Sequence, residues 1–146
     1  MNYSPAYVIA EYLISQGELS NALESGDWKV YIGSLPDGAD VDHDAVASID
    51  TTNVKDGREM GSLPLFHYGV QLLVRSSAYM TGYVKAQDLA DALGAIQNAT
   101  VTVDSSYSYE IANVTDTSGV ISIGFEEGTK RRNLFSVNFL VTIKEV

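Results

Sequence analysis

The sequence predicts an α+β domain: a mixed, mostly antiparallel sheet, two main helices packed on one face, and a β-hairpin or long loop arm. Three observations carry this. Apolar residues alternate with a period of two over Trp28–Ile32, Tyr68–Val74 and Phe135–Ile143, which marks half-buried strands. Between Tyr79 and Ile96 the spacing changes to three and four, the mark of an amphipathic helix laid on a sheet. The elements run helix, strands, helix, strands, so helices cover one face of an antiparallel sheet.

Each element follows from its own residues. Ser4 caps a first helix reaching about Gln16, with Pro5 in its first turn and Gly17 as its stop. A short second turn is expected over Leu19–Leu23. Trp28–Pro36 is a strand with Trp28, Val30 and Ile32 on one side, ended by Pro36-Asp37-Gly38. Ala45–Thr52 reads as a short strand. Asn53–Pro64 has no periodicity and reads as an extended loop or loose hairpin arm that orders against a neighbour.

Tyr68, Val70, Leu72 and Val74 face one way along the next strand, and Ser76 or Ser77 caps the second helix. On that helix Tyr79, Tyr83, Ala86, Leu89, Ala90, Leu93 and Ile96 form the apolar stripe, with Lys85, Gln87, Asp88 and Asp91 turned outward. Thr100–Asp104 is a short strand. Tyr107–Thr115 and Val120–Glu126 are expected to pair as a hairpin across Asp116–Gly119. Leu134–Lys144 closes the chain with five apolar residues on one face. Burying each is worth about 1.5–3 kcal/mol, so this strand belongs in the middle of the sheet.

The totals restrict function. At 146 residues the chain is read as one domain, 1–146. Nine Lys and Arg stand against nineteen Asp and Glu, a net charge of −10. That charge opposes phosphate binding and anionic membranes. There is no cysteine, which removes thiolate catalysis, disulfides and cysteine-bound zinc. The first residues lack the pattern of a signal peptide, and no apolar run reaches the roughly 20 residues that span a bilayer. A soluble protein of the cytosol is the expectation, and the sequons at Asn2, Asn98 and Asn113 are read as chance.

The chemical motifs are few. Asp116-Thr117-Ser118-Gly119 matches the tetrapeptide of aspartic proteases, whose chemistry needs two carboxylates sharing a proton; between two apolar runs it is read instead as a turn. Asp40, Asp42 and Asp44 have the spacing of a calcium loop, but Ala45 and Thr51 occupy the positions that require Gly and Glu. His43 and His67 have no partner at ligand spacing. Lys130-Arg131-Arg132 is the one basic cluster, and Glu126 and Glu127 stand ready to neutralise it. Tyr3, Tyr7 and Tyr12 on the first helix, with Tyr107 and Tyr109 on a strand, suit either the edge of the core or an oligomer interface. No catalytic residue, cofactor site or metal site is assigned.

The strand Tyr68–Arg75 (YGVQLLVR), followed by a helix bearing Tyr83, Ala86, Leu89 and Leu93, resembles the bacteriophage minor capsid or tail-terminator family. The likeness covers about residues 4–97 by order of elements. The resemblance implies an α+β subunit of a virion, forming a hexameric ring on the head-proximal end of the tail tube. Such a ring stops tube polymerisation and joins the tail to the head connector. Its partners are copies of itself, the tail tube protein and the connector or neck protein, with assembly in the host cytoplasm. DNA passes through the lumen without specific binding, and no cofactor or membrane is involved.

On that reading Lys55, Arg58 and Met60 on the arm, with Lys130, Arg131 and Arg132, are candidates for contacts with neighbouring subunits or the tube. Asp37, Asp40, Asp42 and Asp44 are expected to face the lumen or solvent, where carboxylates let DNA slide past. The alternatives are another head–tail connector or tail-tube subunit, a small enzyme using the Asp-Thr-Ser-Gly segment, and a monomeric ligand-binding domain.

Overall fold

The computed structural model describes residues 2–36, 44–58, 64–126 and 132–146, with side chains described outside 52–66. Helix α1 spans Pro5–Ser15, and Ser4 caps it by accepting from the Tyr7 N–H at 3.3 Å. The strands that follow are β1 (Ser20–Asn21), β2 (Lys29–Ile32), β3 (Ala45–Arg58) and β4 (Pro64–Ser76). Helix α2 (Tyr79–Gly94) precedes β5 (Ala99–Val103), β6 (Tyr107–Asp116), β7 (Ile121–Phe125) and β8 (Asn133–Glu145). The strands form one sheet in the order β1-β2-β3-β4-β8-β6-β5, with β7 also paired to β8. The β1–β2 and β2–β3 pairs are parallel and the others antiparallel. The chain is therefore α+β with two helices and a mostly antiparallel, mixed sheet.

Register decides which residues meet the helices, because residues opposite one another in an antiparallel ladder share a face. Val46, Ser48 and Asp50 of β3 stand opposite Val74, Leu72 and Val70 of β4. Those in turn stand opposite Phe135, Val137 and Phe139 of β8. The α1 N-terminus is tied to this face by two bonds: Asp50 accepts from the Ala6 N–H at 2.9 Å, and the Ser48 hydroxyl donates to the Ala6 carbonyl at 2.8 Å. Asp50 thus places a carboxylate at the positive end of the helix dipole. Ala6, Val8, Ile9 and Leu13 of α1 are buried against the sheet.

Helix α2 lies over β8, and Gly82 is the reason it can lie close. A Cβ there would stand 2.6 Å from Cε2 of the buried Phe135. The sequence reading did not single out Gly82. It placed Tyr79 and Tyr83 in the buried stripe, whereas Tyr79 is 49% and Tyr83 39% exposed. With glycine at the contact, Phe135 fills the space beneath the helix and the two tyrosines cover its edges, at ring-centroid distances of 5.1 and 6.2 Å.

Four local expectations are corrected. Leu19–Leu23 is not a helical turn: Ser20 and Asn21 pair in parallel with Lys29 and Val30, because the chain must reach the sheet edge after Gly17 ends α1 at φ +77°. Trp28 lies outside β2 with φ +54°, a left-handed conformation uncommon for a bulky residue. Neither Ser76 nor Ser77 occupies the α2 N-cap, which is Ala78; Ser76 Oγ accepts from the Ala78 N–H at 3.2 Å but is itself bound to Asp44.

The fourth correction concerns topology. Strands β6 and β7 do not form a hairpin with each other; both run antiparallel to β8, one after the other. Asp116 stands opposite Phe139 and Ile121 opposite Ser136. The Asp-Thr-Ser-Gly segment is a bulge in a strand that continues along the same partner. The hairpin is β7–β8 instead, closed by the Glu126 N–H donating to the Arg132 carbonyl at 2.8 Å. β8 therefore pairs with β4 on one side and with β6 and β7 on the other, the central place expected of it.

Candidate functional site

The features that differ most from an ordinary core lie at the sheet's borders. The first is the arm. Strand β3 pairs with β2 only from Ala45 to Ser48, yet it stays paired with β4 as far as Arg58 opposite Pro64. The β4–β8 pairing stops at His67 opposite Thr142. Beyond that point β3 and β4 continue as a two-stranded ribbon, with Lys55–Arg58 against Pro64–Phe66. The sequence reading left 53–64 as a loop or loose hairpin arm; 53–58 is strand, because the ladder nucleated on the alternating half of β4 continues outward despite the absence of an apolar pattern. Lys55 and Arg58 lie on this ribbon. Met60 lies outside the described residues.

The second feature is a charged cluster on the sheet face opposite the helices. Arg75 is fully buried. Its Nη1 donates to the Pro36 carbonyl at 2.7 Å and to Glu126 Oε1 at 3.3 Å. Arg132 clasps the same carboxylate with Nε to Oε2 at 2.6 Å and Nη2 to Oε1 at 3.0 Å. This two-pronged geometry is the strong form of a guanidinium–carboxylate bond. Arg132 had been expected to offer its charge to a partner. It is only 4% exposed, so within this fold it joins the ends of β7 and β8 to β4. Glu126 is the neutralising residue the sequence proposed. Lys130 and Arg131 lie outside the described residues.

The acidic loop is partly placed. Asp37, Asp40 and Asp42 lie outside the described residues. Asp44 does not stand free in solvent: it is half-buried and accepts a 2.8 Å bond from Ser76 Oγ, linking the start of β3 to the end of β4. Among the described residues no group of three or more His, Asp and Glu is positioned to hold a metal ion. His67 meets Thr142 Oγ1 through Nδ1 at 2.8 Å, and His43 is outside the described residues.

In the protease-like tetrapeptide, Asp116 Oδ1 accepts from the N–H groups of Ser118 at 3.1 Å and Gly119 at 2.7 Å. Thr117 bonds to the Asn138 carbonyl through both its N–H and its hydroxyl. The carboxylate is spent on an Asx turn that shapes the bulge.

The third feature is an apolar border. Every residue of β7 is exposed, including Ile121, Ile123 and Phe125 at 42, 50 and 64%. Register sets Ser122 opposite Phe135, the ring that Tyr79 and Tyr83 cover. On α2, Met80 and Val84 are also exposed. Met80, Val84 and Trp28 line an open groove of about 480 Å³. Lys85, expected on the outer face, folds back instead: its ammonium lies 5.6 Å from the Trp28 ring centroid, bonds to the Glu18 carbonyl and stands 3.5 Å from the Glu18 carboxylate. These contacts tie α2 to the corner between α1 and β1.

The tyrosines divide. Tyr109 is fully buried, while Tyr107 is 42% exposed. Tyr3 stacks on Tyr7 at 5.0 Å and meets Tyr107 edge-on at 5.7 Å. The Tyr3 hydroxyl donates to Asp104 at 2.7 Å, and this bond to a carboxylate pushes its pKa up to about 12 from 10.0. A phenol that holds its proton more tightly when folded contributes stability that is complete below pH 10 and is lost as pH rises toward 12. Tyr3→Phe is accordingly expected to flatten the fall in melting temperature across that alkaline window while leaving the neutral side of the profile parallel to wild type. An unchanged alkaline slope would mean that the bond to Asp104 does not persist in solution.

No protein-family model matches this chain, and no curated protein matches it in sequence.

Proposed function

We propose that this chain is a structural subunit of a bacteriophage tail, a terminator that closes the head-proximal end of the tail tube as a ring and joins it to the head connector. The observation that carries the reading is the β3–β4 ribbon continuing past the last β4–β8 pair. A two-stranded ribbon is marginally stable in water by itself, and its edges offer unpaired backbone groups to another chain. An arm of this kind suits a protein that acts by joining copies and neighbours. The resemblance of Tyr68–Arg75 and the helix after it to tail terminators supplies the assembly in which such joining has a purpose. Closed rings follow when the same head-to-tail contact repeats around an axis. The net charge of −10 suits a lumen through which DNA slides.

Deleting Asp56–Gly61 tests the reading. The deletion removes the far end of the ribbon and leaves every residue of the helix-covered core in place. The shortened protein is expected to keep its cooperative thermal transition and to lose the joining of purified tails to heads in a complementation assay. Undiminished joining would overturn the role of the arm. Native mass measured across concentration, alone and with tail tubes, separates a closed ring from the open-ended stacking of a tube subunit.

A further inference from the structure

We infer that the border strand β7 is the receptor for the arm: the β3–β4 ribbon of a second copy of this chain adds to the outer edge of β7 as a further strand. The inference rests on the ring reading above and specifies the contact that would build the ring.

Three observations meet here. The first is hydrogen bonding. Among the described residues β7 pairs only with β8, and no described strand takes its other edge; such edges take up extended chains by strand addition. The ribbon has the complementary need. From Ile49 outward no described strand pairs the β3 edge away from β4, and beyond His67 none pairs the β4 edge away from β3.

The second is apolar cover. All five β7 residues are exposed, three of them large and apolar, and an exposed hydrophobic edge is a site of association. Tyr79 and Tyr83, which meet the Phe135 ring opposite Ser122, are exposed as well.

The third is charge. Copies of a chain of net charge −10 repel one another, so they meet best through segments without net charge. Val120–Phe125 has no charged residue, and in 53–64 Lys55 and Arg58 balance Asp56 and Glu59. Lys55–Arg58 carries the ribbon about 13 Å beyond the last β4–β8 pair, at about 3.3 Å per residue. The contact joins two different surfaces of the same chain, and repetition of such a contact generates a ring when its rotation closes.

The absence of cysteine makes the test direct. Ser122→Cys places a thiol on the exposed β7. Lys55→Cys and Asp56→Cys, made separately, sample both strand faces of the arm. Unlabelled Ser122→Cys protein is mixed with nitrogen-15-labelled arm variant, oxidised, and weighed intact without reductant. The expected result is a shift from 15.8 kDa to a disulfide-linked species of twice that mass, with the mixed light–heavy pair well above the half share that random pairing of equal amounts gives, for at least one arm variant. Adding Ile123→Pro to the Ser122→Cys partner is expected to remove the excess, because proline withdraws a backbone donor from this strand.

A statistical mixture of pairs, or no linked species, overturns the inference. Native mass on the unmodified chain then identifies what failed. Oligomers without the mixed crosslink overturn the arm-to-β7 contact and leave the ring reading standing. Monomers at every concentration, with and without tail tubes, overturn both.

Discussion

Phe135→Ala is expected to lower the free energy of unfolding by about 3–5 kcal/mol, the range for deleting a buried aromatic ring. The site has little capacity to collapse. Phe135 is fully buried on the central strand β8, opposite Val74 of β4, and α2 rests on it through a glycine. Removing the ring leaves a hole beneath Gly82, where the helix has no side chain of its own to fill it. Tyr79 and Tyr83 also lose the ring edge they meet. Domains of this size are stable by about 5–15 kcal/mol, so the variant should unfold at a much lower urea concentration. A midpoint close to wild type would mean that α2 is not seated on β8 in solution.

Glu126→Ala is expected to cost about 3–5 kcal/mol through an electrostatic route, the range for breaking a buried ion pair by removing one partner. Arg75 and Arg132 have side chains 0% and 4% exposed, and Glu126 is the carboxylate between them at 17%. Its removal takes away the carboxylate that both guanidinium groups share. Glu126→Gln keeps an acceptor oxygen and should lose less. Buried pairs are poorly screened by salt, so added sodium chloride should not restore the alanine variant. Equal urea midpoints for wild type and Glu126→Ala would show that the shared carboxylate is not what holds the two arginines inside.

The two variants act on parts of the fold that differ in how far the sequence announced them. Phe135 was legible, because alternation along Leu134–Lys144 assigns it to the buried face of a strand whatever that strand pairs with. The arginine cluster was not. Alternation puts Arg75 on the face opposite Val74, and nothing local says that this face is closed over at that end. Lys130-Arg131-Arg132 looked like one solvated run, yet Arg132 turns inward because the β7–β8 hairpin ends there and Glu126 lies across it. Lys85 is a similar case: its place on α2 was anticipated, but its long stem folds over Trp28, which helical spacing alone does not indicate.

The arm was legible as a loop or loose hairpin arm, but its strand register and the bulge were not, for a shared reason. Over Asn53–Pro64 the residues have no period, so their strand character comes from a ladder begun elsewhere. Asp116-Thr117-Ser118-Gly119 has the chemistry of a reversal, and its Asx turn forms as that chemistry directs. Whether the chain then doubles back or continues depends on the next available partner. Here β8 remains alongside, and Thr117 bonds to Asn138 on that strand, so the chain continues.

The sequence by itself determined α1, α2 and the alternating strands β4 and β8 with their apolar faces, because period is a property of neighbours in the chain. Tertiary structure alone decided which strand lies beside which, where the borders stay open and which charges are taken inside. Those depend on contacts between residues far apart in sequence, and local residue patterns place no constraint on them.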